Sequence, residues 1–148
     1  MPYMKLTFPD VSEARRQDIA KELTEAVVRL MTPPGGRGLK PEELRERCTV
    51  HFTPYTPTSM AIGGKLMRDR HEQDVTMEFS DWGMGTRLKR RLARELTPVL
   101  ARLFGMEAQS DHVNIRFHPY PPTDFAVGGK LLSELIPAIG RLMKRVAS

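Results

Sequence analysis

The sequence is poor in cysteine and has no long apolar run, and both absences restrict the class of protein. Cys48 is the one cysteine in 148 residues, which excludes a disulfide framework and a zinc site built from several cysteines. No apolar run approaches the roughly 20 residues of a membrane-spanning helix. Lys5 and Asp10 interrupt the N-terminus where a signal peptide would be apolar. We therefore predict a cytoplasmic protein with no membrane partner.

Histidine is also scarce, and charge of neither sign dominates. The four histidines show no spacing with carboxylates that is typical of a metal-ligand set, so we predict no metal and no other cofactor. The net charge of +5 fits an anionic small molecule, a nucleic acid or no specific partner. Basic residues are spread over predicted helix faces, without an RNA-binding signature. We expect a small anionic substrate, with a carboxylate, and no nucleic acid.

An internal repeat is the strongest pattern that is present. Phe52–Leu66 returns as Phe117–Leu131, with ten of fifteen positions identical and an offset of 65. Matching segments further upstream are 73 positions apart, so the first half carries eight more residues, in the loop 32–43. Repeated units that cannot close their own cores pack together. We predict a single domain made of two fused units, 1–70 and 71–148.

Each unit has the pattern of a strand, a helix and a second strand. Alternating apolar and polar residues predict half-buried strands, and apolar residues at spacings of three and four predict one buried helix face. The predicted elements are 3–8, a helix from about Ser12 to 31, and 49–53, then 75–79, 88–103 and 113–118. A Pro-rich turn and the motif Ala-x-Gly-Gly-Lys close each unit, in a short hairpin. The pattern predicts an α+β fold of two tandem β-α-β units, each with parallel strands.

The chain begins Met1-Pro2, and removal of Met1 would expose a secondary amine at Pro2. No internal residue supplies such a group, which can act as a general base or as a nucleophile. A buried strand is predicted to follow at once, so the amine would be held inside the fold. Because a small second residue favours removal of Met1, we expect Pro2 to be free. If Met1 is retained, the Pro2 nitrogen is a tertiary amide with no basicity.

The Pro2 start, the duplicated β-α-β unit and the hairpin motif Ala61–Leu66 together resemble the tautomerase superfamily. Each half is similar to a 4-oxalocrotonate tautomerase subunit, and the whole chain resembles the fused members, including the macrophage migration inhibitory factor and chloroacrylate dehalogenase branches. The resemblance implies a four-stranded mixed sheet with helices on one face, a homotrimer, and a pocket at each N-terminal proline. Gln73 matches Pro2 in the second unit and carries no free amine, so one active proline is expected in each protomer.

The resemblance also implies substrate-binding residues in the second unit. Asn114 falls where 4-oxalocrotonate tautomerase has a strand arginine, and Arg116 falls at a pocket position. Arg116 is our predicted carboxylate anchor, because a planar guanidinium matches a carboxylate; the alternative is that it caps the sheet or bridges protomers. Phe125 and Met60 occupy the hairpin position of an aromatic wall in the two units, and we favour Phe125 because it belongs to the same unit as Arg116.

Three further predicted binding residues rest on the same resemblance. In the dehalogenase and malonate semialdehyde decarboxylase branches, the loop that corresponds to 80–87 carries paired arginines, and this chain offers Trp82 and Arg87 instead. Trp82 either forms a pocket wall or packs at the trimer interface. His51 lies on the corresponding face of the first unit, as a site residue or as an interface histidine.

The predicted function is that of a keto–enol tautomerase, with Pro2 as general base on an enol or 2-oxo carboxylic acid. One alternative is a proline-dependent decarboxylase, or a dehalogenase-type lyase or hydratase, acting on a small unsaturated acid. Hydrolytic dehalogenases of the family activate water with a hairpin glutamate, and this chain has Ile62 and Val127 at those positions. The other alternative is a trimeric binding or scaffold protein that lacks catalysis.

Overall fold

The fold is known from a computed structural model, which describes residues 1–36 and 38–136. The last residues of the predicted second unit, 137–148, lie outside the described range. The elements, in chain order, are β1 (Tyr3–Pro9), α1 (Glu13–Met31), α2 (Pro41–Arg45), β2 (Thr49–Tyr55), β3 (Ala61–Ile62), β4 (Lys65–Leu66), β5 (Val75–Trp82), α3 (Thr86–Leu103), β6 (Val113–Tyr120), β7 (Ala126–Val127), β8 (Lys130–Leu131) and α4 (Leu132–Leu135). Short 3-10 turns occupy Met67–Asp69 and Glu107–His112.

Four of the strands form one mixed sheet, in the order β2-β1-β5-β6. β1 runs parallel to β2, and β5 runs parallel to β6. The two central strands, β1 and β5, are antiparallel, with Tyr3 opposite Ser80 and Thr7 opposite Thr76. Each predicted β-α-β unit therefore contributes one parallel pair, and the α+β class with a mixed four-stranded sheet is confirmed.

The hydrophobic core lies between this sheet and the two long helices. The alternation in β1 buries Met4, Leu6 and Phe8 completely, while its intervening residues face the other side of the sheet. α1 and α3 contribute the opposing apolar face, with Leu23 and Leu96 among the fully buried side chains. Both long helices therefore pack on one side of the sheet, and neither covers its other side.

Local sequence signals account for the ends of these elements. Ser12 is the N-cap of α1, and its hydroxyl accepts the backbone N–H of Arg15 at 3.2 Å, as a capping serine should. The β3–β4 turn has positive φ at Gly63 and Gly64, at 62° and 77°. Two successive positive φ angles suit a tight hairpin turn and favour glycine, so the predicted hairpin motif is present.

Two segments differ from the sequence-based expectation. The insertion expected as a loop contains α2, in which Leu44 is buried and Glu43 accepts the backbone N–H of Lys40 at 2.9 Å. A helix of five residues is too short to show a clear apolar periodicity. The segment 80–87, expected as a loop, begins inside β5, which continues to Trp82. Among the described helices, none has the length and apolar character needed to cross a membrane.

Candidate functional site

A cavity of about 370 Å³ opens at the end of the sheet where β1 begins. The register explains its position, because Tyr3 of β1 lies opposite Thr49 of β2 and Ser80 of β5. These three residues alternate away from the helices, so the cavity opens on the face of the sheet opposite α1 and α3. Among the described residues, its lining is Met1, Pro2, Tyr3, Arg47, Thr49, Ser80, Tyr120 and Phe125.

Pro2 is held firmly at the wall of this cavity. Its side chain is buried, and its carbonyl oxygen accepts the backbone N–H of Thr49 at 3.0 Å. That hydrogen bond extends the pairing of β1 and β2 by one residue toward the N-terminus. The nitrogen of Pro2 is therefore fixed inside the fold and not carried on a loose tail, as the sequence predicts.

The N-terminal amine of the chain meets a buried carboxylate. The Met1 ammonium donates to Oδ1 of Asp81 at 2.6 Å, and the same oxygen accepts the backbone N–H of Trp82 at 2.8 Å. Asp81 is 3% exposed, the one charged side chain among the described residues that is buried. A buried carboxylate is costly unless it is paired and hydrogen-bonded. The ammonium and the amide together meet that requirement here.

Sequence reasoning did not identify Asp81 as a site residue, although a signal was available. Val75, Met77 and Phe79 are fully buried and point toward the helices. Asp81 lies two residues after Phe79 in the same strand. The alternation therefore turns its carboxylate toward the buried side of the sheet. An apolar residue would be expected there, and a carboxylate in its place indicates a fixed partner.

Asp81 also affects two groups beside the cavity. Burial, and secondarily the Asp81 carboxylate, raise the pKa of the Tyr120 phenol to about 12. Burial and then the same carboxylate raise the pKa of the Cys48 thiol to about 11, with the N-terminal ammonium opposing them. Both groups are therefore neutral at pH 7. Tyr120 can donate its O–H into the cavity, and Cys48 is a poor nucleophile.

Aromatic side chains form one side of the cavity. The rings of Tyr120 and Phe125 stack at a centroid distance of 5.6 Å and an interplanar angle of 27°. Trp82 lies opposite Tyr120 in the pairing of β5 and β6. The structure thus brings the predicted residue Phe125 to the cavity wall and the predicted residue Trp82 next to that wall. Their contact with a substrate stays a prediction.

The predicted polar residues of β6 lie farther from Pro2 within one chain. Asn114 pairs with Thr76, which lies opposite Thr7, and its amide donates to Oδ2 of Asp74 at 3.0 Å. Thr7 is five positions after Pro2, about 16 Å along a strand. Arg116 is exposed on the open face, two residues closer to the cavity than Asn114. Neither residue lines the cavity of its own chain.

The remaining predicted residues occupy intermediate positions. Nδ1 of His51 lies 2.6 Å from the hydroxyl oxygen of Tyr3. Tyr3 lines the cavity, so His51 contacts a lining residue but does not line the cavity itself. Arg87 is exposed in the first turn of α3 and does not line the cavity. Arg47, which sequence reasoning missed, lines the cavity instead. The available signal was that Arg47 lies two residues before β2, at the strand end that lies beside Pro2.

No metal centre is evident at this site. In residues 1–36 and 38–136, no group of three or more histidine, cysteine, aspartate or glutamate side chains is placed to hold a metal ion. The polar chemistry described above is that of an amine, a carboxylate, a guanidinium and hydroxyl groups.

Comparison with known proteins identifies the fold. No family model matches the sequence, and no curated protein is similar to it. Solved structures do match: native fused 4-OT has a TM-score of 0.71 at 21% identity, covering 90% of this chain and 98% of that chain. N1, a member of the cis-3-chloroacrylic acid dehalogenase family, has a TM-score of 0.66 at 18% identity, covering 87% and 82%. The macrophage migration inhibitory factor of Toxoplasma gondii has a TM-score of 0.64 at 14% identity, covering 87% and 98%.

These neighbours are tautomerase-superfamily proteins. The chain therefore has the tautomerase-superfamily fold, and the resemblance in fold inferred from the sequence is confirmed. At these identities the similarity is one of fold, and the reaction has to be argued from the site itself.

Proposed function

We propose that this protein is a tautomerase-superfamily enzyme in which the Pro2 amine, freed by removal of Met1, moves a proton on an enol or 2-oxo carboxylic acid. The observation that carries the proposal is the placement of Pro2. Pro2 lines the cavity, and the hydrogen bond from Thr49 to its carbonyl oxygen holds it at the start of β1. An amine held in this way suits proton transfer at carbon, because the fold sets the position of its nitrogen and its affinity for a proton before the substrate binds.

In this proposal the Pro2 nitrogen carries the proton between the substrate's oxygen and its carbon. The nitrogen uses both of its forms in each cycle: the neutral amine takes a proton from oxygen as a general base, and the ammonium gives a proton to carbon as a general acid. Tyr120, whose raised pKa keeps it protonated, donates a hydrogen bond to the oxygen on which negative charge develops. The stacked rings of Tyr120 and Phe125 face the planar, unsaturated part of the substrate.

We assign the substrate's carboxylate to Arg47, the cationic side chain on the wall of the cavity. A guanidinium binds a carboxylate through two parallel hydrogen bonds, which orients the substrate as well as binding it. Because Arg47 is exposed at the cavity mouth, the carboxylate would lie outermost and the reacting carbon innermost, toward Pro2.

We further propose that the active form is a homotrimer in the cytoplasm, with no nucleic-acid partner. Three of the structural neighbours are described as trimers of fused 4-OT, and the cavity opens on the sheet face opposite α1 and α3. In such a trimer, Arg116 and Asn114 would contribute to the cavity of an adjacent protomer, which retains their predicted binding role. His51, Trp82 and Arg87 remain predicted contributors at its edge.

A second candidate function is favoured by one specific observation. The Asp81 carboxylate accepts from the N-terminal ammonium, an arrangement that stabilises a charged amine. A Pro2 amine that stays charged through the whole cycle would suit acid catalysis, as in decarboxylation of a β-keto acid or addition to an unsaturated acid, whereas ketonisation needs the amine to give up its proton and recover it.

Ultraviolet absorbance can test the proposed reaction directly. We expect the wild-type protein to accelerate ketonisation of 2-hydroxymuconate or phenylenolpyruvate above the buffer rate at pH 7. A β-keto acid and a halo-acrylate, assayed under the same conditions, should react far more slowly. Faster turnover of either of these would move the second candidate to first place. Rates equal to buffer for all four compounds would indicate a binding protein without catalysis.

A further inference from the structure

Asp81 has no role in the proton transfer proposed above, although it is the charged group that lies closest to the N-terminus. Its carboxylate lies on the helix side of the sheet, whereas the cavity opens on the other side. It does not line the cavity, so it does not touch a substrate directly. Any effect of Asp81 on the reaction must therefore act through the amine.

The geometry keeps Asp81 close to the amine after Met1 is removed. The nitrogen of Pro2 is three bonds from the nitrogen of Met1, about 4.3 Å along the chain. The Met1 nitrogen is 2.6 Å from Oδ1 of Asp81, so the Pro2 nitrogen lies within about 7 Å of that oxygen. Pro2 is held by its bond to Thr49, and Asp81 by its bond to the Trp82 amide. Neither anchor depends on Met1.

We infer that Asp81 is the counter-ion that keeps the Pro2 amine protonated at neutral pH, so that the resting site is a proton donor. The inference rests on the proposed function, because it concerns the same amine. Opposite charges at this separation stabilise each other, most strongly away from water. Asp81 is thus a positioning residue, which sets the charge of Pro2 without contacting the substrate.

The other groups around the amine do not cancel this effect. Cys48, just before β2, and Tyr120, on β6, are neutral at pH 7 because burial and Asp81 raise the pKa of each. Arg47 opposes the ammonium from the cavity wall, but it is exposed and screened by solvent. Glu25 and Arg45, which also act on Cys48, form an ion pair with each other at 2.6 Å. Among the described residues near the amine, Asp81 is therefore the buried charged group whose effect on the amine no other charge cancels.

This charge state sets the order of the steps in ketonisation. The Pro2 ammonium first gives its proton to the substrate carbon, where the electron pair of the enol C=C bond forms the new C–H bond. The carbonyl oxygen still carries its hydroxyl proton, now strongly acidic. The neutral Pro2 amine takes up that proton, which restores the ammonium, and no other reactant is consumed. Asp81 neither gives nor takes a proton in this sequence of steps.

Nitrogen NMR of protein labelled with ¹⁵N-proline can test the inference. The sequence has 12 prolines, and Pro2 alone would have a titrating nitrogen, because the others are amides. In the wild type we expect a titration midpoint above the roughly 7.7–8 of an ordinary α-amine. In Asp81→Asn the midpoint should fall by about 1 to 3 pH units. Glu78→Gln, which removes a carboxylate from the other face of β5, is the matched control and should leave it unchanged.

Three further readouts separate an electrostatic effect from a structural one. Asparagine can still accept the Trp82 amide, so Trp82 fluorescence should match that of the wild type. Alkylation of Cys48 should become faster in Asp81→Asn, because the largest charge effect that raises the thiol's pKa is gone. The alkaline limb of the profile of kcat/KM against pH should move in the same direction as the NMR midpoint, because the ammonium that gives the first proton is lost as the pH rises through its pKa.

The outcomes distinguish the inference from the function on which it rests. A midpoint that is the same in Asp81→Asn and wild type, with native Trp82 fluorescence, would overturn the inference alone. A wild-type titration midpoint at or below that of an ordinary α-amine would also overturn the inference. This test uses the wild-type protein alone. Full ketonisation activity without a free Pro2 amine would overturn the proposed function instead.

Discussion

Replacing Pro2 with alanine is expected to lower kcat/KM for ketonisation by roughly 100-fold or more, the usual contribution of a positioned acid–base group. Alanine keeps an α-amine after removal of Met1, but it lacks the ring that fixes the direction of the nitrogen. A primary amine on a flexible residue loses the orientation on which proton transfer to carbon depends. The measurement is ultraviolet absorbance with 2-hydroxymuconate and phenylenolpyruvate over a range of concentrations.

Two companion proteins make this result specific to the amine. A chain extended by one glycine before Pro2 has a tertiary amide there and should retain no proline-dependent activity. Pro9→Ala, at the far end of β1, removes a proline from the same strand and should keep nearly full activity. Equal activity in all four proteins would show that Pro2 takes no part in the chemistry.

Replacing Arg47 with alanine is expected to raise KM by about 10- to 100-fold, as loss of a hydrogen bond to a charged group does. The effect should fall mainly on KM, because the guanidinium binds the carboxylate both before and during proton transfer. Arg47→Lys should recover part of the affinity, since the charge remains but the planar fork is lost. Initial-rate kinetics at pH 7 separate KM from kcat.

Arg116→Ala and Arg102→Ala complete the arginine series. Arg102 pairs with Glu22 at 2.8 Å on the outer helix surface, so its loss should leave both kinetic constants unchanged. If Arg116 reaches the cavity of an adjacent protomer, its loss will raise KM as well, and more strongly than that of Arg47 if it is the principal anchor. No change in KM for either Arg47 or Arg116 would contradict recognition of a carboxylate at this cavity.

The sheet and its hairpins could be predicted because their signals are local. Alternation in β1 and β5 specifies which side chains face the helices, and the Gly63-Gly64 pair specifies a tight turn. The repeat then joins two such units, so no long-range information was needed to reach the fold class. The short helix α2 could not be predicted from apolar periodicity, because its five residues span little more than one turn.

The site could be predicted only in part, because it depends on register between strands. Alternation correctly places Asn114 and Arg116 on one face of β6, but it does not say how far along the sheet they lie from Pro2. That distance follows from the pairing of Thr76 with Thr7. Asp81 was missed for a related reason: it continues the buried phase of a strand in a segment that composition suggested was a loop.

The mass of the intact native protein tests the central claim most directly. The account predicts a single species lighter than the full sequence by one methionine, with Pro2 as the first residue on N-terminal sequencing. That result would leave a free secondary amine beside Asp81. A protein that retains Met1 would contradict the account, since the nitrogen of Pro2 would be an amide and the Met1 ammonium would occupy the Asp81 carboxylate.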